Sequence, residues 1–175
     1  IADREVVLAA KEFDNTNREE VIAAVENDGE ALRHVSDSLK GDKEILWAAR
    51  IHLINLTKRG QANDEDLEKM DKLLSNGVDP NTAKEMEIPI LNWAAMKGNT
   101  NMIKLLRKHG ADPNVTTAEG ETALMGAATF GMKDSIVELL TPTGSWPWGA
   151  KVDAINEKGF TALHTATNTG KVEAV

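Results

Sequence analysis

The 175-residue chain is 41% hydrophobic and 27% charged, apolar enough to build a core and too apolar to be disordered throughout. Twenty Lys and Arg stand against 28 Asp and Glu, a formal charge of −8 that repels a phosphate backbone and excludes nucleic acid as the expected partner. The absence of cysteine removes disulfides, thiolate metal sites and thiol nucleophiles, and no apolar run reaches the ~18 residues of a membrane helix, so no direct membrane insertion is expected.

In chain order, the first elements repeat at short spacing. Asp3-Arg4-Glu5-Val6-Val7-Leu8-Ala9-Ala10, Asn17-Arg18-Glu19-Glu20-Val21-Ile22-Ala23-Ala24 and Asp42-Lys43-Glu44-Ile45-Leu46-Trp47-Ala48-Ala49 each read as an Asp or Asn cap followed by an amphipathic helix. Between the later copies, Asn27-Asp28-Gly29-Glu30-Ala31-Leu32 reads as a turn and Val35-Ser36-Asp37-Ser38-Leu39 as a short second helix. These residues resemble a small family of short helical repeats, roughly Asp-Lys-Glu-Val-Val-Leu-x-Ala-Val and then Asn-Gly-x-Ala-Leu, whose function is not established. The resemblance implies a fold for residues 1–56 and little about their role.

Residues 57–175 follow a longer period. Gly77-Val78-Asp79-Pro80-Asn81 returns 33 residues later as Gly110-Ala111-Asp112-Pro113-Asn114, and Leu91-Asn92-Trp93-Ala94-Ala95 returns in the same register as Leu124-Met125-Gly126-Ala127-Ala128. The third copy, Leu163-His164-Thr165-Ala166-Thr167, comes after 39, which places a six-residue insert at 143–148. From Ala49 to Ala95 is 46 residues, 13 beyond one period, so Asp42–Thr57 reads both as the last N-terminal helix and as the start of an irregular repeat that reaches about residue 81. Its loop is expected near 58–66, with Asp64 capping a helix that carries Leu67, Met70, Leu73 and Leu74. Repeats at 82–114 and 115–153 and an incomplete one at 154–175 follow.

Leu91, Ala94 and Ala95, like Leu124, Ala127 and Ala128, sit at i, i+3 and i+4 on one helix face, and the small alanines let neighbouring helices come close. The second helices carry Ile103, Leu105 and Leu106, then Ile136, Val137, Leu139 and Leu140, and are too apolar on one side to stand in water alone. Lys104, Arg107, Lys108 and His109 precede Gly110, where cations suit the negative end of a helix and glycine suits the left-handed turn that closes it.

The elements Thr122-Ala123-Leu124, Thr161-Ala162-Leu163-His164 and His109-Gly110-Ala111-Asp112-Pro113-Asn114 resemble the ankyrin repeat, Thr-Pro-Leu-His-x-Ala-Ala-x-x-Gly followed by a helix ending Leu-Leu and Gly-Ala-Asp-x-Asn. The resemblance implies an all-α helical-repeat solenoid stacked on the shorter N-terminal repeats. Pro89 departs from the helix-opening threonine, and Asn92 and Met125 from the motif histidine.

Chemistry is sparse. None of His34, His52, His109 and His164 forms an i, i+4 pair with a nearby acid, so no metal site is expected, and the resemblance makes His164 a structural residue. Glu85, Glu87, Glu119, Glu121 and Glu157 fall at predicted turns, where solvated carboxylates are ordinary. No phosphate loop, nucleophile elbow or paired His-Glu motif is present. No catalytic residue and no cofactor are expected within these residues.

The resemblance implies partner contacts at turn tips and on the exposed side of the first helices. In register these are Glu85, Met86, Ile88, Met96 and Lys97, then Ala118, Glu119, Glu121, Thr129 and Phe130, then Glu157, Lys158, Phe160, Asn168 and Thr169. Met96, Phe130 and Phe160 read either as interface anchors or as side chains buried against the next repeat. Trp146 and Trp148 of the insert read either as partner anchors or as a lid on the chain's own helices. The expected function is a scaffold or adaptor for a protein partner. Two other readings stay open: a subunit packed permanently in a multi-subunit assembly, and the docking or regulatory region of a larger enzyme. An intracellular, cytoplasmic setting is favoured by the missing cysteines, with an organelle left open. Because the pattern is under way at Ile1 and only begins a second helix at Lys171–Val175, a longer protein with further repeats is expected.

Overall fold

Caps and apolar stripes decide where the helices fall in this computed structural model, which describes residues 18–36, 38–58, 62–81, 88–147 and 149–171. The copy predicted at 3–10 lies outside them. The described residues hold α-helices, one 3₁₀ helix and an isolated bridge of Thr116 with Thr122, and no strand. They fall into two compact units, one within Ile1–Leu56 and Glu68–Asp79, the other within Thr57–Leu67 and Pro80–Val175.

In the first unit, α1 (Arg18–Asn27) buries Val21 and Val25, and α2 (Lys43–Lys58) buries Ile45, Ala48, Ala49 and Leu53. Between them runs a 3₁₀ helix, Gly29–His34, opened by Asp28, whose carboxylate accepts from the Glu30 N–H at 3.0 Å. The short helix predicted from Val35 onward thus stands several residues earlier. Val35 is extended, at φ −65° and ψ 136°, and only a turn follows, with Leu39 N–H donating to the Ser36 carbonyl. The Asp28 cap nucleates the helix before the apolar spacing at 35–39 can. His52 reaches across from α2 and places Nε2 2.8 Å from the Val25 carbonyl at the end of α1.

Asp42 caps α2, as expected: Oδ1 accepts from the Glu44 and Ile45 N–H groups at 2.9 and 3.3 Å. Arg18 donates to its Oδ2 at 2.7 Å and pairs with Glu44 at 2.7 Å, tying the start of α1 to the start of α2. The Arg18 hydrogen bond, opposed by desolvation and helped by the two backbone bonds, holds the Asp42 carboxyl below the ordinary value of 3.8. Because the folded value is depressed, the stabilisation is complete above the unfolded pKa and is lost as pH falls through the folded one. Asp42→Asn, which keeps a capping oxygen, is therefore expected to flatten the loss of helical circular dichroism below about pH 4.

The helix α3 (Asp64–Ser75) is capped by Asn63, whose Oδ1 accepts from the Asp66 N–H at 2.7 Å. The predicted cap, Asp64, is instead its first helical residue, where a carboxylate suits the positive end of the helix.

In the second unit, α4 (Ile90–Met96), α6 (Ala123–Phe130) and α8 (Ala162–Asn168) are the first helices, and α5 (Thr100–Lys108) and α7 (Lys133–Leu140) the second ones. The helix α6 lies between α4 and α8, and α5 packs against α7. Leu91, Ala94, Ala95, Leu124, Ala127 and Ala128 are buried on the predicted stripe. The same bond closes each first helix: Asn99 to the Ala94 carbonyl at 3.0 Å, Met132 to Ala127 at 2.9 Å, Lys171 to Ala166 at 2.9 Å. Another closes each second helix, Ala111 to Leu106 and Ala150 to Leu139, both at 3.0 Å. The closing bond of α7 therefore spans six more residues than that of α5. Asparagines stitch successive repeats: Asn81 Oδ1 accepts from the Asp112 N–H at 2.7 Å and Asn114 Oδ1 from the Lys151 N–H at 2.8 Å.

Two parts of the predicted core differ. Val137 and Leu140 on α7 are exposed while Leu139 is buried, and Leu163 is 55% exposed although Leu91 and Leu124, at the same register, are buried. Among the described residues α7 has a second-helix neighbour on one side only, α5, and α8 has α6. Arg107, read from the sequence as a cation at a helix end, is 1% exposed and crosses to the next repeat.

Candidate protein-binding face

The turn tips of the second unit are built by two residues whose side chains replace backbone hydrogen bonds. At 117–121, Thr117 N–H donates to the Glu121 carbonyl at 3.0 Å, and its Oγ1 accepts from the Glu119 and Glu121 N–H groups at 3.3 Å each. At 156–160, Asn156 N–H donates to the Phe160 carbonyl at 3.0 Å, and its Oδ1 accepts from Lys158 and Phe160 N–H at 3.0 and 2.9 Å. The tips join each other through Glu157 N–H to the Glu119 carbonyl, 3.1 Å, and Asn156 Nδ2 to Glu121 Oε1, 2.6 Å. Asn92, in the place of the motif histidine, donates from Nδ2 to the Glu121 carbonyl at 2.8 Å.

On this frame the predicted contacts divide. Ala118, Glu119, Glu157, Lys158, Phe160, Asn168 and Thr169 are exposed, as are Lys97 and Phe130. The Thr117 hydroxyl, donating to Glu119 Oε2 at 2.9 Å, holds the Glu119 carboxyl below its ordinary value, with a smaller contribution from the Lys158 charge. Phe160 is 40% exposed and stacks on His164, ring centroids 6.0 Å apart. His164 completes a capping box with Thr161, accepting the Thr161 N–H at Nδ1, 3.3 Å. Phe130, at the end of α6, is 48% exposed. Lys97 lies over the Trp93 ring at 5.0 Å.

Other members are partly committed to the fold. Met96 is half-buried and rests its side chain against Gly126 of α6. Glu121 is half-buried and held by Asn156, and Ile88 is half-buried. Thr129 is half-buried and returns its hydroxyl to the Met125 carbonyl at 2.9 Å, as the exposed Thr169 does to the Thr165 carbonyl at 2.8 Å. Trp146 is half-buried with its indole N–H enclosed, in a turn where Thr143 and Trp146 exchange backbone bonds of 3.0 and 3.1 Å. Glu85, Met86 and Trp148 lie outside the described residues.

Asn156 escaped the sequence reading because its signal is positional: it stands 39 residues after Thr117, one period plus the insert. Among the described residues no group of three or more His, Cys, Asp or Glu could hold a metal ion, and no helix is long and apolar enough to cross a membrane.

Comparison with known proteins gives this arrangement a family. The family described as Ankyrin repeats (3 copies) matches residues 60–147 and 91–175, and a domain of unknown function, DUF4116, matches 17–49. Palmitoyltransferase AKR1 of Lachancea kluyveri is 25% identical over 206 residues, covering 96% of this chain and 25% of that protein. The putative ankyrin repeat protein FPV222 of Fowlpox virus is 26% identical, covering 63% of this chain and 18% of its own length. E3 ubiquitin-protein ligase Ufd4 of Drosophila melanogaster is 33% identical, covering 53% of this chain and 3% of its own length. The chain thus spans a quarter or less of each of these relatives. Ankyrin repeats are in general protein-interaction modules and typically carry no catalysis. With the family matching about two thirds of its length, in the register of the stacked helix pairs, the chain belongs to the ankyrin repeat family.

Proposed function

We propose that the chain is a binding scaffold or adaptor that holds a protein partner along the tips at 117–121 and 156–160 and the exposed side of the first helices, without chemical change. The observation that carries this reading is the pair of hydrogen-bonded tips. Asn156 and Thr117 spend their side chains on backbone N–H groups, so that Glu119, Glu157, Lys158 and Phe160 stand exposed on a preformed frame. Preorganisation lowers the entropy lost on binding, and aromatic side chains ringed by charges are the usual anchors of an interface.

Affinity capture from native extract tests it, with Phe130→Ser/Phe160→Ser on the proposed face set against Val137→Ser on α7, which is 59% exposed away from the tips. Partners recovered by the wild type and by Val137→Ser should fall at least about tenfold with the double variant. Equal recovery by all three proteins would move the interface elsewhere. Adding Trp146→Ser and Trp148→Ser assigns or removes the insert as a contact.

The names of two relatives, a palmitoyltransferase and a ubiquitin ligase, favour a second reading, in which these repeats are the docking region of a larger enzyme. Catalysis then belongs to residues other than these 175, and purified chain should recruit a protein without modifying it.

A further inference from the structure

The six-residue insert leaves the second helix α7 at a point where one backbone donor used by the other second helices is missing. In α5 the carbonyl of Leu105 is taken by the His109 N–H at 3.2 Å. One period earlier, the Lys72 carbonyl is taken by the Asn76 N–H at 3.1 Å and again by its side chain at 2.7 Å. One period later the carbonyl is that of Glu138, and the residue that should supply its N–H is Pro142, which has none. Proline also forces the residue before it out of the helix. Thr141 is accordingly extended, at φ −66° and ψ 127°, whereas its counterpart Lys108 is still helical, so α7 stops one residue short of α5.

The Thr141 N–H, shared with the Val137 carbonyl at 3.0 Å, reaches the Glu138 carbonyl only at 3.3 Å, and the stronger donor arrives from the neighbouring repeat. Arg107 stands at the register position held by Leu74 one period before and Leu140 one period after. Its guanidinium donates to the Glu138 carbonyl from Nη1 and to the Thr141 carbonyl from Nη2, the latter at 2.6 Å. At 1% exposure this cation is shut away from water, and burial pushes its pKa below the ordinary value against the pull of the Glu138 carboxylate. Two aligned carbonyls at the negative end of a helix are a suitable seat for such a charge. Beyond Thr141 the chain makes the Thr143–Trp146 turn, and Gly149 and Ala150 then bond back to the Trp146 and Leu139 carbonyls at 3.1 and 3.0 Å.

We infer that Arg107 is a C-cap supplied in trans, the positioning residue that replaces the N–H missing at Pro142 and fixes the direction in which the tryptophan-bearing insert leaves the stack. The inference stands whether or not a partner touches the insert. It makes the insert a held structural element whose presentation is set by a residue of the preceding repeat.

A double-mutant cycle read by amide hydrogen exchange on the full chain tests this, using Arg107→Leu, Pro142→Ala and the two together. Leucine is what the same position holds in the adjacent repeats, and alanine restores an N–H at 142. Arg107→Leu alone should lower protection at the Trp146, Gly149 and Ala150 amides by about 10- to 100-fold, the worth of a charge-assisted hydrogen bond or two, and lower it less at Ala111. In the Pro142→Ala background the same substitution should lower it severalfold less, because the backbone can again take the Glu138 carbonyl. A purely packing role predicts equal losses in both backgrounds. Equal losses, whether local or by global unfolding, or no loss at the insert amides in either, would overturn the inference.

Discussion

Gly149→Ala is expected to destabilise the second unit by about 3 kcal/mol or more, and Gly110→Ala by about 1 kcal/mol, in urea unfolding followed by circular dichroism. Both glycines close a second helix with positive φ, +65° and +89°, where an L side chain is strained by roughly 1 to 2 kcal/mol. Their surroundings differ. A Cβ at Gly110 meets nothing within 4 Å, whereas one at Gly149 stands 2.5 Å from the Leu140 carbonyl oxygen and 3.1 Å from that of Leu139. Those atoms are backbone and cannot swing aside as a flexible side chain could. The insert must move outward, and the bond from Ala150 N–H to Leu139 goes with it. Equal losses in the two variants would mean that the loop returns to the stack with slack.

The same comparison shows why some of the fold was legible in the sequence and some was not. The 33-residue spacing of Leu91 and Leu124, of Gly77 and Gly110, and of the alanine pairs carried the stacking of the helices, because burial on one face imposes a period that survives changes of residue type. The insert was legible as an excess of six. What it does to the helix before it was not, since that depends on a proline removing one donor and on an arginine reaching across from another repeat. Arg107 looked like any cation near a helix end; only the buried guanidinium distinguishes it from Lys104 and Lys108, which are exposed. Asp64 and Asn63 are both acceptable caps, and the choice between them depends on which oxygen meets the Asp66 N–H. The candidate face was legible in position and not in availability. Register placed Met96 and Glu121 among the contacts, while Gly126 leaves room that Met96 fills and Asn156 claims the Glu121 carboxylate.

Asn156→Ala is expected to weaken the second unit by about 2 to 3 kcal/mol and to release the tip at 156–160 far more than its surroundings. The side chain is 7% exposed and makes three bonds: two accepted from Lys158 and Phe160 N–H, and one given to Glu121 Oε1 at 2.6 Å. Alanine leaves two donors and a half-buried carboxylate without those partners, each worth about 1 kcal/mol or more. Thr117→Ala, at the equivalent place in the preceding tip, removes two accepted bonds of 3.3 Å and one to the exposed Glu119, and should cost less than half as much. Amide exchange at Lys158 and Phe160 reads the first effect directly. If these tips hold a partner by preorganisation, Asn156→Ala must also lower affinity for it by more than Glu157→Ala, although Asn156 is buried and Glu157 exposed. An unchanged affinity with a loosened tip would separate the frame from the binding face and place the contacts on the first helices alone.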